Sequence, residues 1–136
     1  MDMAQLQSEF AELCSRIAPS LAQFRFPTER SDDGFAHVEI TEEHLHYVVT
    51  ERGQEHSRQT TTDKDELLYW LVSSVVTARA GAYEFRHRVR GQSFRRLMFA
   101  KTIDYMARVR TDWAERTARE IDAILAKNPY DDIAEG

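Results

Sequence analysis

His44–Leu71, HLHYVVTERGQEHSRQTTTDKDELLYWL, is the stretch whose reading decides the fold. It reads as a strand, a tight turn, a second strand, a helix cap and a very apolar helix. Leu45, Tyr47 and Val49 alternate with His44, His46 and Thr50, the period of two expected of a strand with one core face and one polar face. Gly53 supplies the backbone freedom the turn needs. His56–Thr61 is almost wholly polar and β-branched at its end, which predicts a solvated edge strand. Asp63 and Glu66 have the spacing of a capping box, and Asp63, Asp65 and Glu66 place negative charge at the positive end of a helix dipole. The helix is predicted over Lys64–Ala80, with Gly81 as its break. Leu67, Leu68, Tyr69, Trp70, Leu71, Val72, Val75 and Val76 cover nearly its whole circumference, the mark of a helix covered on more than one side.

Working outward, Leu6, Phe10, Leu13, Ile17 and Leu21 recur at helical spacing and predict a one-sided helix over Ala4–Ile17, ended by Pro19. Phe24–Gly34 carries Pro27 and a Ser31–Gly34 turn cluster and reads as a loop. A first strand, Phe35–Ile40, turns Ala36, Val38 and Ile40 one way and His37 and Glu39 the other; Thr41, Glu42 and Glu43 make the turn into the second. On the C-terminal side, Tyr83–Arg90 is open to either helix or loop. A helix over Gln92–Arg110 follows, lined by Phe94, Met98, Tyr105 and Val109. Thr111 is placed to cap a last helix, Asp112–Lys127, whose buried side is marked by Trp113, Ile121, Ile124 and Leu125. Asn128–Pro129 stops it, and residues 130–136 read as a frayed acidic tail. The fold class is α+β: a small antiparallel sheet of about three strands covered on one face by about four helices, the other face wet. At 136 residues the chain is expected to be a single domain.

Composition narrows the function. Apolar residues make 42% of the chain, charged residues 30%, and the net charge is −5, which disfavours a general nucleic-acid binder. The one cysteine, Cys14, cannot form an intramolecular disulfide. The acidic start, MDMAQLQSEF, lacks the apolar region of a signal peptide, and no apolar run reaches the roughly 20 residues of a membrane span. A cytoplasmic location is expected. No P-loop, dinucleotide fingerprint, G-x-S-x-G or H-E-x-x-H occurs, and no cofactor is implied.

Three constellations carry chemical interest. His37, His44 and His46 share a sheet face with Glu39, a donor set for zinc and a conceivable hydrolase; the structural alternative is a polar, solvated strand pair. Arg79, Arg86, Arg88, Arg90, Arg95 and Arg96 stand against Glu84 alone, so 6 − 1 gives a local +5. Such a cluster suits nucleic acid or an adaptor role, unless the arginines pair with the chain's own acids. Thr28–Glu66 holds eleven acids and four bases, or −7, and such a surface either solvates a domain or docks a basic partner.

TERG at 50–53, DELLYW at 65–70, YEFRHR at 83–88, FRRLMF at 94–99 and NPYDD at 128–132 occur in an order that resembles the bacterial immunity protein 63 family of polymorphic toxin systems. The resemblance covers Leu45–Asp132 and leaves residues 1–34 unmatched. It implies a binding protein that neutralises a cognate toxin domain, not an enzyme, and transfers no catalytic residue. The motif residues also have structural explanations: Gly53 serves the turn, Trp70, Leu67 and Leu68 fill the core, and charge and chain order pair Arg95 and Arg96 with Asp131 and Asp132. The expected toxin-binding surface is Asp32, Asp33, Glu39, Glu42 and Glu43, because loops and turns tolerate partner-specific change. The polar edge strand is open to pairing between subunits, and nothing in the sequence requires it.

Overall fold

Alternating apolar residues and two hairpin turns build the sheet. In the computed structural model, which describes residues 2–136, it has three antiparallel strands in the order β1 (Asp33–Thr41), β2 (His44–Glu51) and β3 (Gln54–Thr61). Arg52 and Gly53, both at positive φ (52° and 79°), close the second hairpin as its two loop residues, the arrangement that matches strand twist. The structure is thus α+β, with four long helices and one short one: α1 (Met3–Ile17), α2 (Lys64–Arg86), α3 (Phe94–Val109), α4 (Thr111–Lys127) and α5 (Asp132–Glu135). The chain packs as two compact units, one reaching to Val72 and the other Ser73–Gly136.

In the first unit, Asp2 caps α1 by accepting a hydrogen bond from the Gln5 amide at 2.7 Å. Leu6, Phe10, Leu13, Cys14 and Ile17 are buried along one side, as their spacing predicts. Pro19 does not simply end the helix; it opens a single 3₁₀ turn, Pro19–Leu21. Phe10 then meets Phe26 edge-on, with ring centroids 5.3 Å apart. The buried Gln7 holds the same segment by its backbone. Its Nε2 donates to the Phe26 carbonyl at 2.8 Å, and its Oε1 accepts from the Phe26 amide at 3.0 Å. Gln7→Ala would leave both groups buried without partners, and is expected to cost about 2 kcal/mol in urea unfolding. From there the Val38 amide bonds to the Pro27 carbonyl, and Arg52 and Thr50 bond to Asp32, so the connecting segment passes from the outer edge of β1 to the central strand.

That route corrects the wet-face expectation. His37 is 2% exposed and Thr50 1%, and Val48, on the same face, is fully buried. Arg58 of β3 pairs in register with Val48 and reaches Glu39 of β1 at 3.1 Å, bridging across the central strand. The opposite face holds Val38 and Leu45, with Tyr47 edge-on to Trp70 of α2 at 6.2 Å. Leu67 and Leu68 are core residues; Trp70 is only half-buried. β3 is exposed along nearly its whole length, as an edge strand should be.

Gly81 does not break α2. The helix continues to Arg86, because a lone glycine costs only about 1 kcal/mol in a helix that is otherwise packed. Asp63 caps its start, accepting from the Asp65 amide at 2.9 Å, while its own amide bonds to Thr61 Oγ1. In the second unit α3 packs on α4. Two expected core positions are exposed instead: Phe94, at the first turn of α3, and Ile124, in the last turns of α4. Arg95 and Thr102 take buried places on α3, Thr102 satisfying its hydroxyl on the Met98 carbonyl at 2.8 Å. Thr111 lies inside α4 rather than capping it; Arg110 is the boundary residue between the two helices.

Candidate functional site

The five acidic residues read as one surface lie at three places. Asp32 and Asp33 sit where β1 begins, beside the Arg52–Gly53 turn, since Asp33 pairs with Glu51. Glu42 and Glu43 form the hairpin tip at the other end of β1, roughly 25 Å away at about 3.3 Å per residue. Glu39 lies between them, on the inner length of the strand.

Their chemical states differ. Asp32 ion-pairs with Arg30 at 2.6 Å. Asp33 accepts from the Ser31 hydroxyl and from the Phe35 amide, and these bonds hold its carboxyl below the usual range. Glu39 is held below the usual range first by its hydrogen bond to His37, at 2.7 Å, and then by Arg58. Arg58 also grips Glu55 at 2.8 Å, and both carboxylates push its pKa up. Glu39 is therefore committed to a structural bridge. Glu42 and Glu43 are exposed and carry no ion pair among the described residues. Glu42 holds φ 51°, a left-handed conformation that costs a non-glycine residue about 1 kcal/mol or more.

The histidine face does not converge. His37 Nε2 is taken by Glu39, and His46 is shared between Thr41 Oγ1 at 2.5 Å and Thr60 Oγ1 at 2.8 Å. His44 is exposed, its ring stacked on that of His46 at 6.4 Å. Among the described residues no three His, Cys, Asp or Glu side chains form a group able to hold a metal ion. An open groove of ≈ 540 Å³ runs along α1, lined by Ala4, Ser8, Ala11 and Phe24. Burial pushes the Cys14 thiol up to about 12, so it packs as a small apolar group rather than a nucleophile.

The arginine cluster is largely spent on the chain's own acids. Arg88 forks onto Glu84 at 2.9 and 3.0 Å, and Arg96 onto Asp132 at 2.9 and 3.2 Å. Arg95 does not pair with Asp131. Its guanidinium bonds to Glu135 at 2.7 and 3.0 Å and to the carbonyls of Asn128 and Pro129 at 2.9 and 2.8 Å. Asp131 instead caps α5, accepting from the amides of Ile133 and Ala134. Ser93 completes the clasp, its amide on Asp132 at 2.7 Å and its hydroxyl on Glu135 at 2.9 Å. The tail is a docked turn of helix, not a frayed end. Arg79 lies 6.0 Å from the Tyr105 ring, and Arg86 and Arg90 have no ion-pair partner among the described residues.

No helix of the described residues is long and apolar enough to cross a membrane. No curated protein and no solved structure matches the chain. The family model described as Immunity protein 63 does, over residues 42–123, from the β1–β2 hairpin tip into α4. That stretch takes in the TERG, DELLYW, YEFRHR and FRRLMF segments and ends before NPYDD. It spans more than half of the sequence, and the chain belongs to the Immunity protein 63 family.

Proposed function

We propose that residues 1–136 act as one cytoplasmic immunity-protein domain that binds a cognate toxin domain directly and neutralises it by covering its active site or blocking a needed motion. Family membership supports a protein toxin as the partner. The observation that carries the choice of surface is the Glu42–Glu43 tip: two exposed carboxylates without ion pairs among the described residues, one on a strained backbone that a glycine would occupy at lower cost. Asp32 and Asp33 form a second acidic edge, and Glu39 supports the strand between. An acidic surface speeds encounter with a basic partner and sets register once docked. Action is by contact, without catalysis or a cofactor.

The test has two stages. Affinity capture from the native bacterium, with mass spectrometry, should return a stoichiometric protein bearing a toxin domain. Capture of nothing from cells shown to make that toxin would remove the reading. Against the captured domain, Glu42→Lys with Glu43→Lys should weaken binding about 10–100-fold at low salt and leave the melting temperature unchanged. Unchanged affinity would move the surface elsewhere. Charge reversal at Glu39 is not a clean probe, because it would break the His37 and Arg58 bonds as well. The nucleic-acid alternative loses ground, since Arg88, Arg95 and Arg96 already hold carboxylates.

A further inference from the structure

We propose a second interaction surface, at the end of the second unit, that takes an acidic protein segment bearing a large apolar side chain. It goes beyond the toxin-binding reading and stands independently of it. Phe85, in the last turn of α2, is 74% exposed, and Val89 and Phe94 follow within ten residues at 48% and 39%. The Ser93 bond to Asp132 brings α5 to the same end, where Ile133 is 98% exposed. Four of the seven exposed large hydrophobic residues thus gather at one end of one unit. Apolar groups so concentrated on a surface mark a contact site more often than a solvated one.

The charge selects the occupant. Over Glu84–Arg96 and Asp131–Glu135, the segments that carry the four apolar groups, there are five arginines and four acids, so 5 − 4 gives +1. Glu84 is buried and held by Arg88, while Asp132 and Glu135 are held by Arg96 and Arg95. Asp131, also exposed here, is occupied in capping α5. Arg86 and Arg90, without ion-pair partners among the described residues, stand against the single unpaired carboxylate of Asp131 on a chain of net −5. Aromatic and arginine side chains together are the residue types that dominate binding energy at protein interfaces. The anchor is also set in advance: Arg88, fixed on Glu84, lies 5.6 Å from the Phe85 ring, which lowers the entropy lost on docking. A net charge of +1 is small for a nucleic-acid footprint.

A random peptide library displayed on phage, selected against the whole chain, is the probe. Enriched peptides are expected to join Asp or Glu to Trp, Phe or Leu and to lose affinity as salt rises. Phe85→Ser with Arg90→Glu, shown to keep the wild-type melting temperature, should weaken them about 30-fold. Glu42→Lys with Glu43→Lys should leave them unchanged, which separates this surface from the toxin-binding tip. No enrichment, or peptides that bind both chains equally, would overturn the proposal. So would anionic phosphatidylserine vesicles or random-sequence DNA binding in a way that the same double substitution abolishes while peptides fail.

Discussion

Leu67→Ala is expected to destabilise the protein by about 3 kcal/mol, while Phe85→Ala on the same helix changes stability by less than about 0.5 kcal/mol. Both are large apolar residues of α2, and helical propensity distinguishes them little. The difference is burial. Leu67 is fully buried in the first turns of α2, where its neighbours Leu68, Leu71 and Val72 are buried too, so truncation removes apolar contact and leaves a cavity. Phe85 already faces water, and its loss removes little beyond the Arg88 contact. Urea unfolding of each variant supplies the comparison. Trp70 fluorescence is a suitable probe, because that ring lies against Tyr47 and changes surroundings when helix and sheet part. Equal costs at the two positions would mean that α2 is not organised by burial as described.

Arg95→Ala is expected to release residues 128–136 while leaving α3 and α4 folded. One side chain holds two backbone carbonyls and both oxygens of Glu135, so its removal unties the segment at several points at once. Limited proteolysis or hydrogen exchange over 128–136 should be about ten-fold faster. Arg95→Lys should recover only part of the protection, since an ammonium lacks the planar fork. Acid should do the same work as the substitution. Arg95, with the Asp131 amide and Ser93, lowers the Glu135 carboxyl from its ordinary 4.5 to about 2. A group whose pKa falls on folding stabilises the folded form above the unfolded value. The clasp is therefore complete above pH 4.5, weakens progressively below it, and is lost as pH falls through about 2. Protection of 128–136, taken relative to the intrinsic exchange rate at each pH, that holds constant down to pH 2, or that falls first above pH 5, would contradict the assignment.

Much of this architecture is legible in the sequence because one-sided periodicity is a direct consequence of one-sided burial. The spacing of Leu6, Phe10, Leu13 and Ile17 finds its place in the structure, whereas the alternation at 45–49 does not mark one-sided burial, since His46, Val48 and Thr50 are buried and Tyr47 and Val49 only half-buried. Gly53 is legible for a related reason: its turn requires positive φ, and glycine adopts that at least cost. The failures share a different cause. Whether His37 and Thr50 face water depends on where a loop from Phe26 to Asp32 lies, and loop paths leave no periodic trace. Arg95 pairs with Glu135 and not with Asp131, because four residues of helix turn one carboxylate toward α3 and set the other to capping. Gly81 misled because propensity is weak beside packing, and Val76 and Ala80 on the preceding turns are fully buried. Of the acidic set, the sequence marks the charges but not which of them are already neutralised by neighbours, and that distinction separates Glu39 from Glu42 and Glu43.

The buried thiol of Cys14 gives the molecule an internal clock. It is the chain's one sulfhydryl, fully enclosed and held protonated to about 12. Near neutral pH the thiol stays protonated in place, and its enclosure keeps reagents from it. Modification by a thiol reagent must wait for α1 to open. Its rate at saturating reagent is then the opening rate of the first unit, read without any added label. Partner binding to that unit would slow the clock, and binding confined to the second would leave it running.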